Sequence, residues 1–342
     1  MRQIVAARGV AQRHVIFARM TFMSLLAALL LEQLRPLPDR AGVVKPLRGM
    51  FDFLEHHLNA GEHHHGVTAW LLTVLSLVGV SLAIYYALYQ VSFVLAWAWN
   101  MLLLYLTMGF RQFSHHFTDI HRALAAGDLP QARTLMGAWR GRSADDLNST
   151  EIARLAIEEA LTASHHHVFG VLFWFAVLPG PAGALLYRLA LMLKLQWGSP
   201  AAAAGAAAGA ETADQANGSF GDFARQAARK IEWVPLRLTA IGFAVVGNFE
   251  DAIYCWRNQA SRWRDPEMGI VLASGAGAIG VTLGKPLHDG IGPAGVAIDD
   301  RIEIGAGLEA DAAFLSSTVG LVWRALVLWM LLLAMLAVAS WV

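Results

Sequence analysis

The sequence predicts an all-α protein: a polytopic transmembrane helical chain with a cytoplasmic helical insertion and a broken or re-entrant helix. Three observations carry this expectation. Hydrophobic residues make up 56% of the chain and charged residues only 15%, a balance typical of integral membrane proteins. Val67 to Phe110 is a run of 44 residues without Asp, Glu, Lys or Arg, whereas one spanning helix needs about 20 apolar residues. Pro179-Gly180-Pro181 interrupts a second apolar run, Val168 to Trp197, and proline there removes a helical hydrogen bond.

Residues 1–19 carry Arg2, Arg8, Arg13 and Arg19 and no acid, like the n-region of a targeting segment. No small-residue cleavage site follows, so an uncleaved anchor is expected from Ile16 to Leu34. Met20-Thr21-Phe22-Met23 resembles a translation start, which marks residues 1–19 as a non-native extension. Arg35-Pro36-Leu37-Pro38 ends the helix. Val44, Leu47, Met50, Phe51, Leu54 and Leu58 then recur at helical spacing, predicting an amphipathic helix on the membrane surface or against another helix.

The uncharged run is long enough for two spans joined by a tight turn near Tyr85 to Gln90. That pair returns the chain to its starting side. Residues 35–66 and 111–165 carry four and six Lys/Arg, and the positive-inside rule places both in the cytoplasm. Between 111 and 165 the chain turns polar and helical. Gly127-Asp128-Leu129-Pro130 and Gly141-Arg142-Ser143 are breaks, and Asn148-Ser149-Thr150-Glu151 offers caps for a helix over Ile152 to Leu161. Arg154, Glu158, Thr162 (or Leu161) and His165 lie one turn apart on one side of it.

Arg188 and Lys194 in the second half of the Val168 to Trp197 run disfavour a lipid-exposed span, so a broken element buried against other helices is expected. Residues 198–219 read as a low-complexity linker of poor order. Residues 220–342 form the last region. Phe220 to Trp263 is helical with Pro235 near the start of a new segment. Ala273-Ser274-Gly275-Ala276-Gly277-Ala278 permits close helix packing, and Leu321 to Val342 is a terminal span broken only by Arg324.

Composition also excludes functions. Twenty-six basic residues balance 26 acidic ones, giving no electrostatic basis for nucleic-acid binding. A single cysteine, Cys255, excludes an intrachain disulfide and a cysteine zinc site. No G-x-x-x-x-G-K-[ST] phosphate loop and no G-x-S-x-G elbow is present; Lys285 follows the glycine-rich segment 275–284 without P-loop spacing. His165, His166 and His167 cannot all bind one ion from one helix, because neighbours point about 100° apart. A metal site needs one of them with His115, His116, His121 or Glu158. His63-His64-His65 reads as a solvated loop. Glu158 and Glu159 have the chemistry of a general base or a Mg²⁺ ligand, but Arg154 four residues earlier makes a helix-surface ion pair the ordinary reading.

Several fragments, in order, resemble the CobD/CbiB superfamily, whose best-known members are adenosylcobinamide-phosphate synthases of cobalamin biosynthesis. They are Val44-Lys45-Pro46-Leu47, Gly127-Asp128-Leu129, Ala132-Arg133, Gly141-Arg142, Trp233-Val234-Pro235-Leu236-Arg237-Leu238-Thr239-Ala240, Asp265-Pro266 and Ala276-Gly277-Ala278-Ile279-Gly280-Val281. The resemblance implies joining of an aminopropanol unit to a corrinoid carboxylate, with ATP and Mg²⁺. Polar positions depart from the pattern. Ala163-Ser164-His165-His166-His167 stands where the family has Ala-Glu-Asn, Lys194 replaces an acid, Leu191 an amide, Lys45 a histidine and Glu267 an asparagine. Phe173-Trp174-Phe175, Pro181 to Arg188, Gly242-Phe243-Ala244 and Gly247-Asn248-Phe249-Glu250 resemble the AmpE-like branch of the superfamily instead.

The expectation is therefore an AmpE-like ligand-binding or regulatory protein of the bacterial inner membrane, for a corrinoid or cell-envelope ligand, compatible with an oligomer. The alternative is the amide-forming synthase, and the second alternative a histidine-dependent metal enzyme. No catalytic residue and no metal ligand is assigned. The expected ligand-binding residues are Arg142, Arg154, Glu158, His165, His166, His167, Arg188, Lys194, Arg237 and Glu267.

Overall fold

In a computed structural model, residues 20–35, 41–59, 63–198, 213–287 and 301–339 are described. The anchor residues before Met20, the Pro36-Leu37-Pro38 stop and residues 199–212 of the low-complexity stretch lie outside them. The elements are helical in order: α1 (Met20–Leu34), α2 (Ala41–Leu58), α3 (His63–Val91), α4 (Phe93–Thr107), α5 (Phe110–Ala125), α6 (Leu129–Arg140) and α7 (Ser149–Ser164). A π-helical turn, His165–Phe169, leads into α8 (Gly170–Val177), followed by α9 (Ala182–Trp197), α10 (Ala213–Val246), α11 (Phe249–Gln259) and α12 (Pro266–Ile279). Strands β1 (Val281–Leu283), β2 (Ile304–Gly305) and β3 (Leu308–Glu309) precede the last helix, α13 (Ala312–Ala339).

Three described stretches are helices long and apolar enough to cross a membrane: His64–Val91, Ser149–Val177 and Ala312–Ala339. With the shorter apolar helices, they make the chain an all-α, polytopic membrane-type protein, as composition predicts. The expected turn at Tyr85 to Gln90 is displaced. Nothing in that segment breaks a helix, so α3 continues to Val91. Ser92, extended at φ −162°, then accepts a bond from the Val94 amide and starts α4. With 15 residues, α4 reaches only about 22 Å, short of a full crossing. His63-His64-His65 forms the first turn of α3 and not a loop, and α13 begins nine residues before the expected Leu321.

The chain divides into two compact units. The first comprises residues 20–108, 170–233 and the chain end from Ala337; the second comprises 109–169 and 234–336. In the first, Phe51 of α2 inserts fully buried among Ala69, Trp70, Val74, Leu189, Leu193, Trp197 and Phe220, with Leu47, Met50, Leu54 and Leu58 packed alongside. The amphipathic helix is thus settled against other helices. The α8–α9 hairpin lies in this unit, turned by Pro179-Gly180-Pro181, with Gly180 at φ +60°. A Cβ on Gly183 would stand 1.8 Å from the Trp174 carbonyl oxygen, and one on Gly170 2.1 Å from the Tyr187 ring. Only glycines allow the two helices to approach so closely.

Pro235 does not open a new segment: α10 runs through it. A proline N–H is missing, so the Ile231 carbonyl four residues earlier loses its helical donor. The Trp174 indole N–H donates to that carbonyl at 3.0 Å, and the helix continues.

In the second unit, α5 and α6 meet at Gly127 (φ +74°), where the Asp128 side chain caps α6 through the Gln131 amide. The left-handed Gly141 ends α6. Asn148 and Glu151 form a reciprocal capping box at the start of α7. Nearly every α7 residue from Glu151 to Leu161 is buried. The small-residue face of α12 meets α11 closely: a Cβ on Gly277 would lie 2.5 Å from the Asp251 carbonyl oxygen. The close-packing expectation for that run therefore holds. Gly280, left-handed, caps α12 and turns the chain into β1. β1 pairs antiparallel with β2 and parallel with β3. This sheet has no signature in the sequence, because its strands are two or three residues long and show no alternation.

Candidate functional site

Glu158, in the middle of α7, is the centre of the polar cluster in the second unit. Its Oε1 accepts the Gly284 backbone N–H at 2.9 Å, and its Oε2 accepts from the Arg301 guanidinium. The two side chains retain only 9% and 14% exposure, so the pair is substantially removed from water. Gly284 is available because the β1–β2 register ends at Leu283–Ile304. It has to be glycine: at φ +82° a Cβ would lie 2.0 Å from the Ile302 carbonyl oxygen. The Arg301 guanidinium also lies 5.7 Å from the centroid of the Trp263 ring, within cation–π range.

The expected helix-surface pair between Arg154 and Glu158 is not made. Glu158 is buried and bonded to an arginine 143 residues away. Arg154 is itself buried, at 5% exposure. Its Nε has no hydrogen-bond partner, and neither has the Nε of Arg301. Beside them Lys285, left-handed at φ +54°, donates to Glu309 at 2.9 Å and lies 3.8 Å from Glu303. The Lys285 hydrogen bond and charge hold the Glu309 carboxyl below its usual range.

A second polar group surrounds the π-helical turn. The Thr239 hydroxyl donates to the Pro235 carbonyl oxygen at 2.8 Å, which uses its one hydrogen. At 3.0 Å from His165 Nδ1, the Thr239 oxygen must accept, so Nδ1 carries a proton. His165 is fully buried. The His166 ring centroid lies 5.4 Å from that of His165, and the His167 carbonyl accepts from the Gly109 amide. π-Turns of this kind recur at functional sites.

The other expected residues are distributed as follows. Arg237 is half-buried on α10, Glu267 half-buried in the first turn of α12, and Arg142 exposed after α6. In the first unit, Lys194 bonds at 2.9 Å to Glu232, whose side chain is 1% exposed; Arg188 lies half-buried on the same helix. The acid that the resemblance leads one to expect at position 194 is absent there, but Glu232 brings a carboxylate to the same place from α10. Sequence reading missed Arg301, Trp263 and Glu232. None has a local signature, and Gly284-Lys285 showed only as a glycine-rich segment ending in lysine. Burial, then Asp251, raises the Cys255 thiol to about 11, so it is un-ionised at neutral pH and is no nucleophile.

Comparison with known proteins adds the following. The family model described as CobD/Cbib protein matches residues 25–292. A Cobalamin biosynthesis protein CobD of Stutzerimonas stutzeri is 34% identical over 322 residues, 91% of this chain and 96% of that protein. One from Chromobacterium violaceum is 38% identical over 185 residues, 53% of this chain and 54% of that protein. One from Leptospira interrogans is 24% identical over 268 residues, 77% and 80% of the two chains. No solved structure gives a significant match. These relatives overturn the expectation of an AmpE-like regulatory protein: a likeness spanning both chains leads to proteins named for cobalamin biosynthesis.

Proposed function

The chain belongs to the CobD/CbiB family, and from that membership we propose that it catalyses the amide-forming step of cobalamin biosynthesis in the bacterial plasma membrane. In this reading an aminopropanol-type amine is joined to a corrinoid carboxylate, with ATP and Mg²⁺ as the co-substrate that drives the condensation. The observation that carries it is the 34% identity extending over 96% of the Stutzerimonas stutzeri protein. A shared fragment would support a shared fold; a match of this extent supports a shared reaction.

The chemistry of the second unit is compatible with that task. Joining a carboxylate to an amine requires donors for substrate oxygens and a base for the amine proton. Arg154 and Arg301 are donors of the first kind, and the buried His165 imidazole is a titratable group of the second. The spanning helices support a membrane location.

Complementation tests the proposal. Expressed in a bacterium that lacks its own CobD and needs cobalamin for growth, the gene restores growth on a corrinoid precursor lacking the aminopropanol arm. Growth only when the completed arm is supplied contradicts it.

A further inference from the structure

Arg154 is a buried cation without a counter-ion of its own. Three acids lie close enough to act on its charge, Glu158, Glu151 and Glu309, together with the like charge of Arg301. Each acid is already engaged. Glu158 accepts from Gly284 and Arg301, Glu151 accepts from the Asn148 amide in the capping box at 2.8 Å, and Glu309 accepts from Lys285. No hydrogen bond or ion pair involves Arg154 among the described residues, and its Nε is shielded from solvent. Arg301 is half-engaged: one terminal nitrogen donates to Glu158, while its Nε is buried without a partner.

A guanidinium offers five N–H donors in a rigid fork suited to carboxylates and phosphates. Burying one with those donors unmet is costly. Among the described residues nothing offsets that cost for Arg154, and its position makes sense when an anion completes it. The Glu158 carboxylate already shows which chemistry this corner accepts: an oxyanion between a guanidinium and a backbone N–H presented by a left-handed glycine. We propose that Arg154 and Arg301 form a receptor for a substrate oxyanion, a carboxylate or a phosphate monoester, with Glu158 holding Arg301 in place. The receptor rests on the amide-forming reading only for which substrate supplies the oxyanion.

Thermal unfolding of the full-length protein in detergent, at fixed ionic strength with chloride as the control salt, tests this. Inorganic phosphate and propionate are the probes. Wild-type protein is expected to gain several degrees with at least one of them; the stronger probe identifies the oxyanion class. Arg154→Gln, which removes an uncompensated charge, is expected to melt no lower than wild type without ligand and to need at least tenfold more probe for the same gain. Arg154→Lys, a charge without a fork, falls between the two. Arg122→Gln, at an exposed position of α5, leaves the response unchanged. No gain with either probe in wild type, an equal gain in Arg154→Gln, or a lower melting temperature for the unliganded variant overturns the receptor. The last result would mark Arg154 as a structural residue. Binding is read without turnover, so binding without amide formation sinks the proposed reaction alone. Turnover by Arg154→Gln with an unchanged KM sinks the receptor alone.

Discussion

Both carboxylate oxygens of Glu158 are engaged, one by the Gly284 amide and the other by the Arg301 guanidinium. On sequence spacing, an arginine four residues before a glutamate is an ordinary surface pair. The fold instead buries Glu158 against Arg301 and the Gly284 amide, and leaves the Arg154 Nε without a hydrogen-bond partner among the described residues. No spacing rule reaches across 143 residues; only the return of the chain through α12 and the sheet brings Arg301 there. The substitution Glu158→Gln keeps the shape and an acceptor for Gly284, but removes the charge facing Arg301. Breaking a buried pair from one side costs about 3 kcal/mol, so chemical denaturation of the variant should show a loss of that size. A loss below about 1 kcal/mol, the range of exposed pairs, would mean that the pair is effectively solvated. Thr239 was visible as part of the motif ending in Leu238-Thr239-Ala240, while its role was not. Its hydroxyl oxygen accepts from a histidine 74 residues away.

At the scale of elements, the sequence was most informative where a local signal has a local consequence. Asn148 with Glu151, Asp128 before Pro130, and Gly141 terminate or begin helices where expected. Proline acts differently at its two sites. Pro179 and Pro181 do break the chain, but the helix before them begins back at Ser149. Pro235 breaks nothing, because a tryptophan side chain replaces the donor that proline removed. That compensation is testable as a cycle. In the native background Trp174→Phe leaves the Ile231 carbonyl unsatisfied, at a cost of about 1–3 kcal/mol. In a Pro235→Ala background the restored backbone N–H reaches that carbonyl, and the same substitution should cost about 1 kcal/mol less. Equal costs in the two backgrounds, measured by denaturant unfolding, would show that the indole bond and the proline are unrelated.

For the whole molecule, the membrane character and the helical class followed from composition and the 44-residue uncharged run, because they depend on bulk hydrophobicity. The three-stranded sheet and its pairing with Glu158 depend on contacts between distant segments, and periodicity carries no trace of them. The family, too, was legible from ordered fragments; the function assigned from it was not. Lys194 in place of an acid suggested a lost active site, and the structure shows that lysine paired with Glu232 of another helix, a contact that a position-by-position reading does not see. The central claim is catalytic, so it is tested most directly by catalysis. Purified full-length protein in detergent is incubated with a corrinoid carboxylic acid, an aminopropanol-type amine, ATP and Mg²⁺, and the corrinoid is weighed by mass spectrometry. The account predicts a corrinoid heavier by the amine less one water, formed only when all components are present. Folded protein that leaves the corrinoid mass unchanged, while a CobD relative converts it under the same conditions, would contradict the account.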